Sequence, residues 1–361
     1  MPRLPPSLFR RAHKISPHLP ALLPTCRDLV SAQNELRWIR EHACKTPPQP
    51  HKGARENEEA LVAKLCRARG SGVPLQYLLG TQPFGALEIK CRRGVLIPRP
   101  ETEAWASRLA DVVRADAGVD ARGAKVLDLC SGSGCVALLL YSLLRRSFPG
   151  LSVRGFDVEP KAVGLARENL VYNTRLGLLE GAEGRVGFGE ADIFADGWLE
   201  ELLSADDKET AEGMKRGAGP VDVLVSNPPY ISAEGFNRDT ARSVRNYEPK
   251  LALVPPLLKD RMSTPDGRPE DIFYVRLLGL VEVLRPRFTV LEVGDLKQAL
   301  EVVEMAISRL DGVKVEIWRD WPDVTPGINE PASERVRGVE VPYRGSGSGR
   351  AVFIRLYNSV E

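Results

Sequence analysis

The sequence predicts an α/β fold built on a doubly wound, mostly parallel sheet, preceded by a small helical domain and a β-hairpin linker. Three observations carry this. From residue 101 onward, short apolar runs alternate with amphipathic stretches. One of those runs ends in an acid and opens into a Gly-rich turn, and the residues before 80 carry helical periodicity without strand alternation. With 361 residues, 43% hydrophobic and 27% charged, the chain can bury a large core beside a small one. No apolar run approaches the ~18 residues that would span a membrane.

The charge is uneven. Residues 1–27 hold Arg3, Arg10, Arg11, Lys14 and Arg27 and no acid; without them the formal net charge of +2 becomes −3. A basic, acid-free start reads as a mitochondrial transit segment, although Pro5, Pro6, Pro17 and Pro20 interrupt any long amphipathic helix. Residues 28–80 read as a helical domain, with helices expected over 28–43 and 56–69, the second closed by Gly70-Ser71-Gly72. Residues 81–100 read as a hairpin linker: β-prone runs at Phe84–Lys90 and Val95–Ile97 flank a charged turn at Arg92–Gly94.

Residues 101–361 form the expected α/β domain. Strands are placed at Lys125–Leu129, Ser152–Phe156, Val221–Ser226 and Phe288–Val293, with a closing pair at Val313–Trp318 and Arg350–Leu356. Helices are placed from Gly134, at Pro160–Tyr172, at Asp271–Leu284 and from Asp295 to Leu310. Residues 204–219 and 257–270 are polar inserts read as surface loops. Six cysteines form no C-x-x-C pair and all four histidines precede residue 52, so no metal site is expected and reduced thiols are.

The most informative local sequence is Val126-Leu127-Asp128-Leu129-Cys130-Ser131-Gly132-Ser133-Gly134. Glycines let the backbone approach a ligand closely. A phosphate site would want G-x-G-x-x-G, but Cys130 stands where such turns begin with glycine, and an acid precedes the turn. A carboxylate suits the cationic sulfonium and ammonium of S-adenosyl-L-methionine better than a phosphate. Asp128, Ser131, Gly132 and Gly134 are therefore candidate cofactor residues. Asp157, ending the next strand, can accept hydrogen bonds from both hydroxyls of a ribose; alternatively it caps the helix opened by Pro160. Asp192 can meet an adenine amino group while Ile193 or Phe194 covers the ring; acidic turns also occur for structural reasons.

The apolar run Val223–Ser226 leads into Asn227-Pro228-Pro229-Tyr230, at the strand end where open α/β sheets bind ligands. An amide nitrogen is a poor nucleophile because its lone pair is delocalised. Two acceptors on its two N–H bonds favour a pyramidal nitrogen whose lone pair is free to attack. The Asn227 side-chain oxygen and the Pro228 carbonyl can be those acceptors; Pro229 stiffens the turn and Tyr230 can stack on a planar group.

At these residues the chain resembles the HemK/PrmC family of glutamine methyltransferases, over roughly residues 28–330. Asp128–Gly134, Asp157, Asp192 and Asn227–Tyr230 match its cofactor and substrate motifs. Pro74–Gly80, Leu96–Glu103 with Arg99 and Glu101, and Val244–Pro249 match its further signatures. The resemblance implies a class I, Rossmann-like methyltransferase using S-adenosyl-L-methionine. Its implied substrate is the glutamine amide in the Gly-Gly-Gln loop of a peptide chain release factor, docked partly by the helical domain. The mitochondrial branch is implied, which needs no small zinc-binding partner; a monomer that binds neither membrane nor nucleic acid is expected. Adenine-N6 methyltransferases of RNA or DNA share the core motifs but need a basic face that this chain does not display. A catalytically dead binding protein has no reason to keep Asn227–Tyr230 with Asp128 and Asp157. The proline-rich stretch after Leu253 and the Gly345–Gly349 turn depart from the family pattern.

Overall fold

The computed structural model describes residues 3–46, 54–116, 119, 123–195, 197–199, 221–256 and 268–357. The inserts expected at 204–219 and 257–270 lie outside these residues, apart from a short 3₁₀ turn, Pro269–Asp271, at the end of the second. Among the described residues no helix is long and apolar enough to cross a membrane.

The chain divides into two compact units. The smaller holds α1 (Pro6–Ile15), α2 (Leu19–Cys26), α3 (Leu29–Lys45), α4 (Ala54–Gly70) and α5 (Leu75–Leu79). It also takes in Cys91–Arg93 and, from far along the chain, Thr240–Glu248, which includes a helix at Arg242–Tyr247. Within it, the Arg93 guanidinium lies 5.2 Å over the Tyr247 ring. The Arg69 guanidinium makes two 2.7 Å bonds to the Glu35 carboxylate, joining α4 to α3, a bidentate geometry that favours arginine.

The boundary expected at residue 27 falls inside this unit's core. Ala12, Leu19, Leu22 and Leu23 are fully buried in one cluster with Ala32 and Ile39 of α3. The helical unit therefore starts at Pro6, where the sequence placed its start at Asp28. Proline breaks a helix in its interior, but Pro6 and Pro20 sit in the first turns of α1 and α2, where the missing N–H costs no hydrogen bond. Asp28 marks a real boundary of a different kind: it caps α3, accepting the Ser31 N–H at 2.8 Å.

The hairpin is β1 (Thr81–Phe84) and β2 (Leu87–Lys90). Its turn is at Gly85, with φ +58°, not at Arg92–Gly94 as expected, and Val95–Ile97 is not a strand, although Val95 and Ile97 are buried. Gly85 supplies the left-handed turn at no steric cost and has no room for a side chain, since a Cβ there would stand 2.5 Å from Leu139. Arg92–Gly94 offers only polarity.

The larger unit continues with α6 (Pro100–Ala115), β3 (Lys125–Leu129), α7 (Cys135–Leu144), β4 (Ser152–Asp157), α8 (Pro160–Arg175), β5 (Val186–Glu190) and β6 (Val223–Ser226). After α9 (Ala233–Arg238) and α10, the Arg242–Tyr247 helix already met, come α11 (Ile272–Leu284), β7 (Phe288–Glu292), α12 (Leu296–Arg309) and β8 (Val313–Trp321). The hairpin β9 (Ser333–Val336) and β10 (Val339–Arg344) precedes β11 (Ser346–Leu356). The sheet order is β5-β4-β3-β6-β7-β11-β8-β10-β9. Strands β5 to β7 run parallel, and β11 inserts antiparallel between β7 and β8. The doubly wound expectation holds; β5, α6 and the β9–β10 hairpin are additions to it.

Two hydrophobic layers cover the sheet. One gathers Trp105 and Leu109 of α6 with the mostly apolar turns of α7; the other gathers α11 and α12 against Leu127, Leu224 and Leu291. The chain order reverses between β3 and β6, and the ends of β3, β4, β5, β6 and β7 open together at that point. Leu129 is level with Phe156 on one side and Ser226 on the other. Such a switch point is where an open sheet leaves a crevice.

The buried leucines of α2 yield a test. Deleting residues 1–27 removes three fully buried leucines, each contributing about 1.5–3 kcal/mol by burial. The truncated chain should show loss of slow amide hydrogen exchange throughout α3 and α4 while β3 to β7 keep theirs. Unchanged exchange in α3 and α4 would overturn the placement of α1 and α2 in that core.

Candidate functional site

The crevice is built around the turn from β3 to α7. Cys130, Gly132 and Gly134 all have positive φ, at +60°, +55° and +77°. A non-glycine residue there is uncommon and strained, so Cys130 is held by its surroundings. Three ties hold the turn. The Ala137 N–H donates to Asp128 Oδ2 at 3.2 Å, the Gly132 N–H donates to Asp157 Oδ2 at 2.8 Å, and the Asn169 side-chain amide donates to the Ser133 carbonyl at 3.0 Å. Asn169 and Asn173 of α8 also bracket β2: their side chains pair with the backbone of Lys90 and Glu88.

Asp128 is thus turned beneath the turn, not into the crevice. Burial pushes its carboxyl up to about 8, opposed by the Ala137 N–H and reinforced by the charge of Asp157. Among the described residues the Ser131 hydroxyl is buried without a hydrogen-bond partner.

The crevice contains a cavity of about 220 Å³ lined by Cys130, Gly132, Phe156, Asp157, Glu159, Asp192, Ile193, Phe194, Asn227, Pro229 and Phe273, with Val95, Leu96, Leu251 and Pro256 among its other walls. Most of this surface is apolar, with few polar groups, the usual constitution of a small-molecule site. Asp157 ends β4; burial raises its carboxyl above the usual range, against the Glu159 and Gly132 N–H groups that hold it down. Glu159, not Asp157, is the N-cap residue of α8, accepting the Lys161 N–H at 3.3 Å, so the capping alternative for Asp157 falls. Asp192 follows β5 and accepts the Phe194 N–H at 3.0 Å. Phe194 meets Phe273 edge-on, with centroids 4.9 Å apart, and forms an aromatic wall beside it. Gly132 faces open space where a Cβ would point.

Asn227 reaches the same cavity from the end of β6. Its Nδ2 lies 3.4 Å from Thr102 Oγ1. Thr102 Oγ1 donates at 2.7 Å to Glu292 Oε2, which also accepts the Trp105 indole N–H at 2.7 Å; the Tyr230 hydroxyl donates to Glu292 Oε1 at 3.2 Å. Glu292 is 1% exposed, and burial raises its carboxyl while these donors lower it. The Tyr230 ring packs at Gly294 and its carbonyl accepts from Gln298, so Tyr230 anchors the loop.

The structure brings Gly132, Asp157, Asp192 and Asn227 together around one cavity. Asp128, Ser131, Gly134, Pro228, Tyr230, Arg99 and Glu101 do not line it; Ser131 is buried in the turn and Gly134 packs against Phe188 and Ala166. Arg99 is the N-cap residue of α6 and Glu101 lies in its first turn, where a carboxylate favours the helix N-terminus. The element that reaches the site from this segment is the residue between them and Trp105, namely Thr102. Sequence reasoning missed Thr102, Asn169, Phe273 and Glu292; a glutamate ending an apolar strand, Phe288–Glu292, was the one available signal.

Gly134 offers a check on the turn. A Cβ there would stand 2.8 Å from Phe188 and 2.9 Å from Ala166 at φ +77°. Gly134→Ala should cost at least the ~1–2 kcal/mol of a left-handed alanine, read as a lower denaturation midpoint, with ligand affinity falling too. Wild-type stability would show that the turn does not need glycine.

No family model matches the chain. Curated proteins do. The mitochondrial MRF1 N(5)-glutamine methyltransferase MTQ1 of Saccharomyces cerevisiae is 35% identical over 258 residues, covering 70% of this chain and 68% of that protein. The probable MRF1 mitochondrial N(5)-glutamine methyltransferase mtq1 of Schizosaccharomyces pombe is 35% identical over 65% of this chain and 69% of its own length. The release factor glutamine methyltransferase of Bacillus subtilis is 32% identical over 69% of this chain and 72% of that protein.

Proposed function

This chain belongs to the release factor glutamine methyltransferase family, and from that premise we propose that it transfers a methyl group from S-adenosyl-L-methionine to the side-chain amide nitrogen of the glutamine in a release factor's Gly-Gly-Gln loop. The observation that carries the reading is the meeting of Asn227 with Asp157 and Asp192 around a single, mostly apolar cavity at the switch point of the sheet.

The residues present fit the methyl donor. Asp157 is an acceptor for the ribose hydroxyls and Asp192 for the adenine amino group; Ile193, Phe194 and Phe273 supply flat apolar walls, and the open side of Gly132 leaves room for the rest. When bound, S-adenosyl-L-methionine supplies an electrophilic methyl group on a sulfonium. The protein's own task is to make the amide nucleophilic. Asn227 Oδ1, on the cavity wall, accepts one amide N–H bond, and the Pro228 carbonyl, next in the same turn but outside the cavity lining, accepts the other when the glutamine enters beside it; together they favour the pyramidal nitrogen. Pro228 and Pro229 keep that turn rigid and remove backbone donors that would compete. Apolar walls exclude water, which strengthens both hydrogen bonds. Asp128 acts from beneath, by fixing the turn through Ala137.

Two of the relatives are named as mitochondrial, which supports a place in the mitochondrial matrix. The helical unit serves to dock the release factor. The enzyme works as a monomer and without contacting nucleic acid.

The test is incubation with labelled S-adenosyl-L-methionine and, in parallel, a Gly-Gly-Gln release factor, RNA and DNA, with the methylated atom mapped by mass spectrometry. Label on the glutamine amide is expected; label on nucleic acid alone would overturn the substrate. Asn227→Ala should retain cofactor affinity but lose at least about a hundredfold in turnover. Asp157→Ala should weaken calorimetric cofactor binding by about 1.5–3 kcal/mol, the range for hydrogen bonds to a charged group. Normal turnover in the first variant, or normal affinity in the second, would remove that residue from its role.

A further inference from the structure

The side chain of Asn227 is symmetric in outline but not in chemistry. Turned one way it presents an acceptor to the cavity, and turned the other way two donors. Only the first can receive a substrate N–H. The structure contains a device that decides between them.

Glu292 is a buried carboxylate at the end of β7 and, when ionised, can only accept. Trp105 can only donate, and its indole N–H points at Glu292 Oε2 from 2.7 Å. Thr102 Oγ1 stands 2.7 Å from the same oxygen. A hydroxyl has one proton, and here it is committed to Glu292. What Thr102 has left for its other neighbour is a lone pair. Asn227, 3.4 Å away, can satisfy that lone pair only with its NH2. Its oxygen is then turned from Thr102 toward the cavity that Asn227 lines. The orientation follows from the count of donors and acceptors alone. The contact is long for a hydrogen bond, as catalytic contacts often are before substrate is bound.

We propose that Thr102 is a positioning residue for methyl transfer: it carries the acceptor character of Glu292 one step outward and so holds the Asn227 amide with its oxygen toward the substrate. This rests on the reading of Asn227 as the acceptor for the substrate amide. It also assigns work to the Leu96–Glu103 segment, whose Arg99 and Glu101 do not line the cavity.

The test uses three single variants of the full chain, with thermal unfolding and cofactor affinity measured for each. Thr102→Val keeps the shape and removes the hydroxyl, so the Asn227 amide loses its bias. Turnover should fall about tenfold, with KM for the release factor and cofactor affinity within twofold of wild type. Thr102→Ser restores the hydroxyl and should recover most of the lost turnover. Asn227→Ala should lose more than Thr102→Val. If Thr102→Val keeps full turnover while Asn227→Ala is impaired, the relay is overturned and the Asn227 reading stands. If Asn227→Ala itself is unimpaired, the underlying reading fails. Equal losses in Thr102→Val and Thr102→Ser, or a loss matched by a fall in melting temperature, would make Thr102 a packing residue and overturn the proposal.

Discussion

The turn from Cys130 to Gly134 is the constraint on which the rest of the site depends. Three of its five residues are in the left-handed region, and no isolated segment would hold that shape against its conformational freedom. It is held because three different elements reach it: Asp128 from beneath, Asp157 from the neighbouring strand and Asn169 from α8. Each tie also has a second consequence. Asp157 is fixed by the same bond that fixes Gly132, so the turn and the end of β4 move together. Asn169 grips β2 as well as the turn, which makes the hairpin part of the support of the crevice.

Glu292 plays a comparable part on the other side of the cavity. Burying a carboxylate is costly unless its oxygens are satisfied, and here Thr102, Trp105 and Tyr230 all donate to it. Two separate stretches of chain, α6 and the Asn227–Tyr230 loop, converge on one strand end. The site is therefore two rigid halves, the turn with Asp157 and the Asn227 loop with Glu292. They are joined by the adjacent strands β3 and β6, and their spacing is set by strand registry, not by loop contacts.

Much of this was legible in the sequence because it is local. Strand, turn and helix signals around Asp128–Gly134, Asp157 and Asn227–Tyr230 lie within a few residues of each other, and the structure gathers Gly132, Asp157, Asp192 and Asn227 as expected. What was not legible depends on pairs far apart in the chain. Thr102 and Glu292 are 190 residues apart, and neither has a distinctive neighbourhood. β5 was hidden because Gly187 and Gly189 weaken its strand character. The second glycine is there for packing: a Cβ at Gly189 would stand 2.8 Å from Phe156. The hairpin turn was misplaced because a charged Arg-Arg-Gly looks more turn-like than Gly85, whose claim rests on Leu139 of α7. The start of the helical unit was misplaced because proline in a first turn and proline in a helix interior are the same letter.

The helical unit is not continuous in sequence. It takes residues up to Gln82, returns for Cys91–Arg93 and returns again for Thr240–Glu248. On a ribosome, or in any passage that delivers the chain N-terminus first, α1 to α5 are present long before the last contribution arrives. By then β3 to β6 have also been made. Completion of the helical unit is thus coupled in time to the α/β unit, and neither can be exchanged as a cassette by one cut in the gene. A duplication or fusion that separated them would have to break the chain at five junctions at once, which favours their inheritance as a pair.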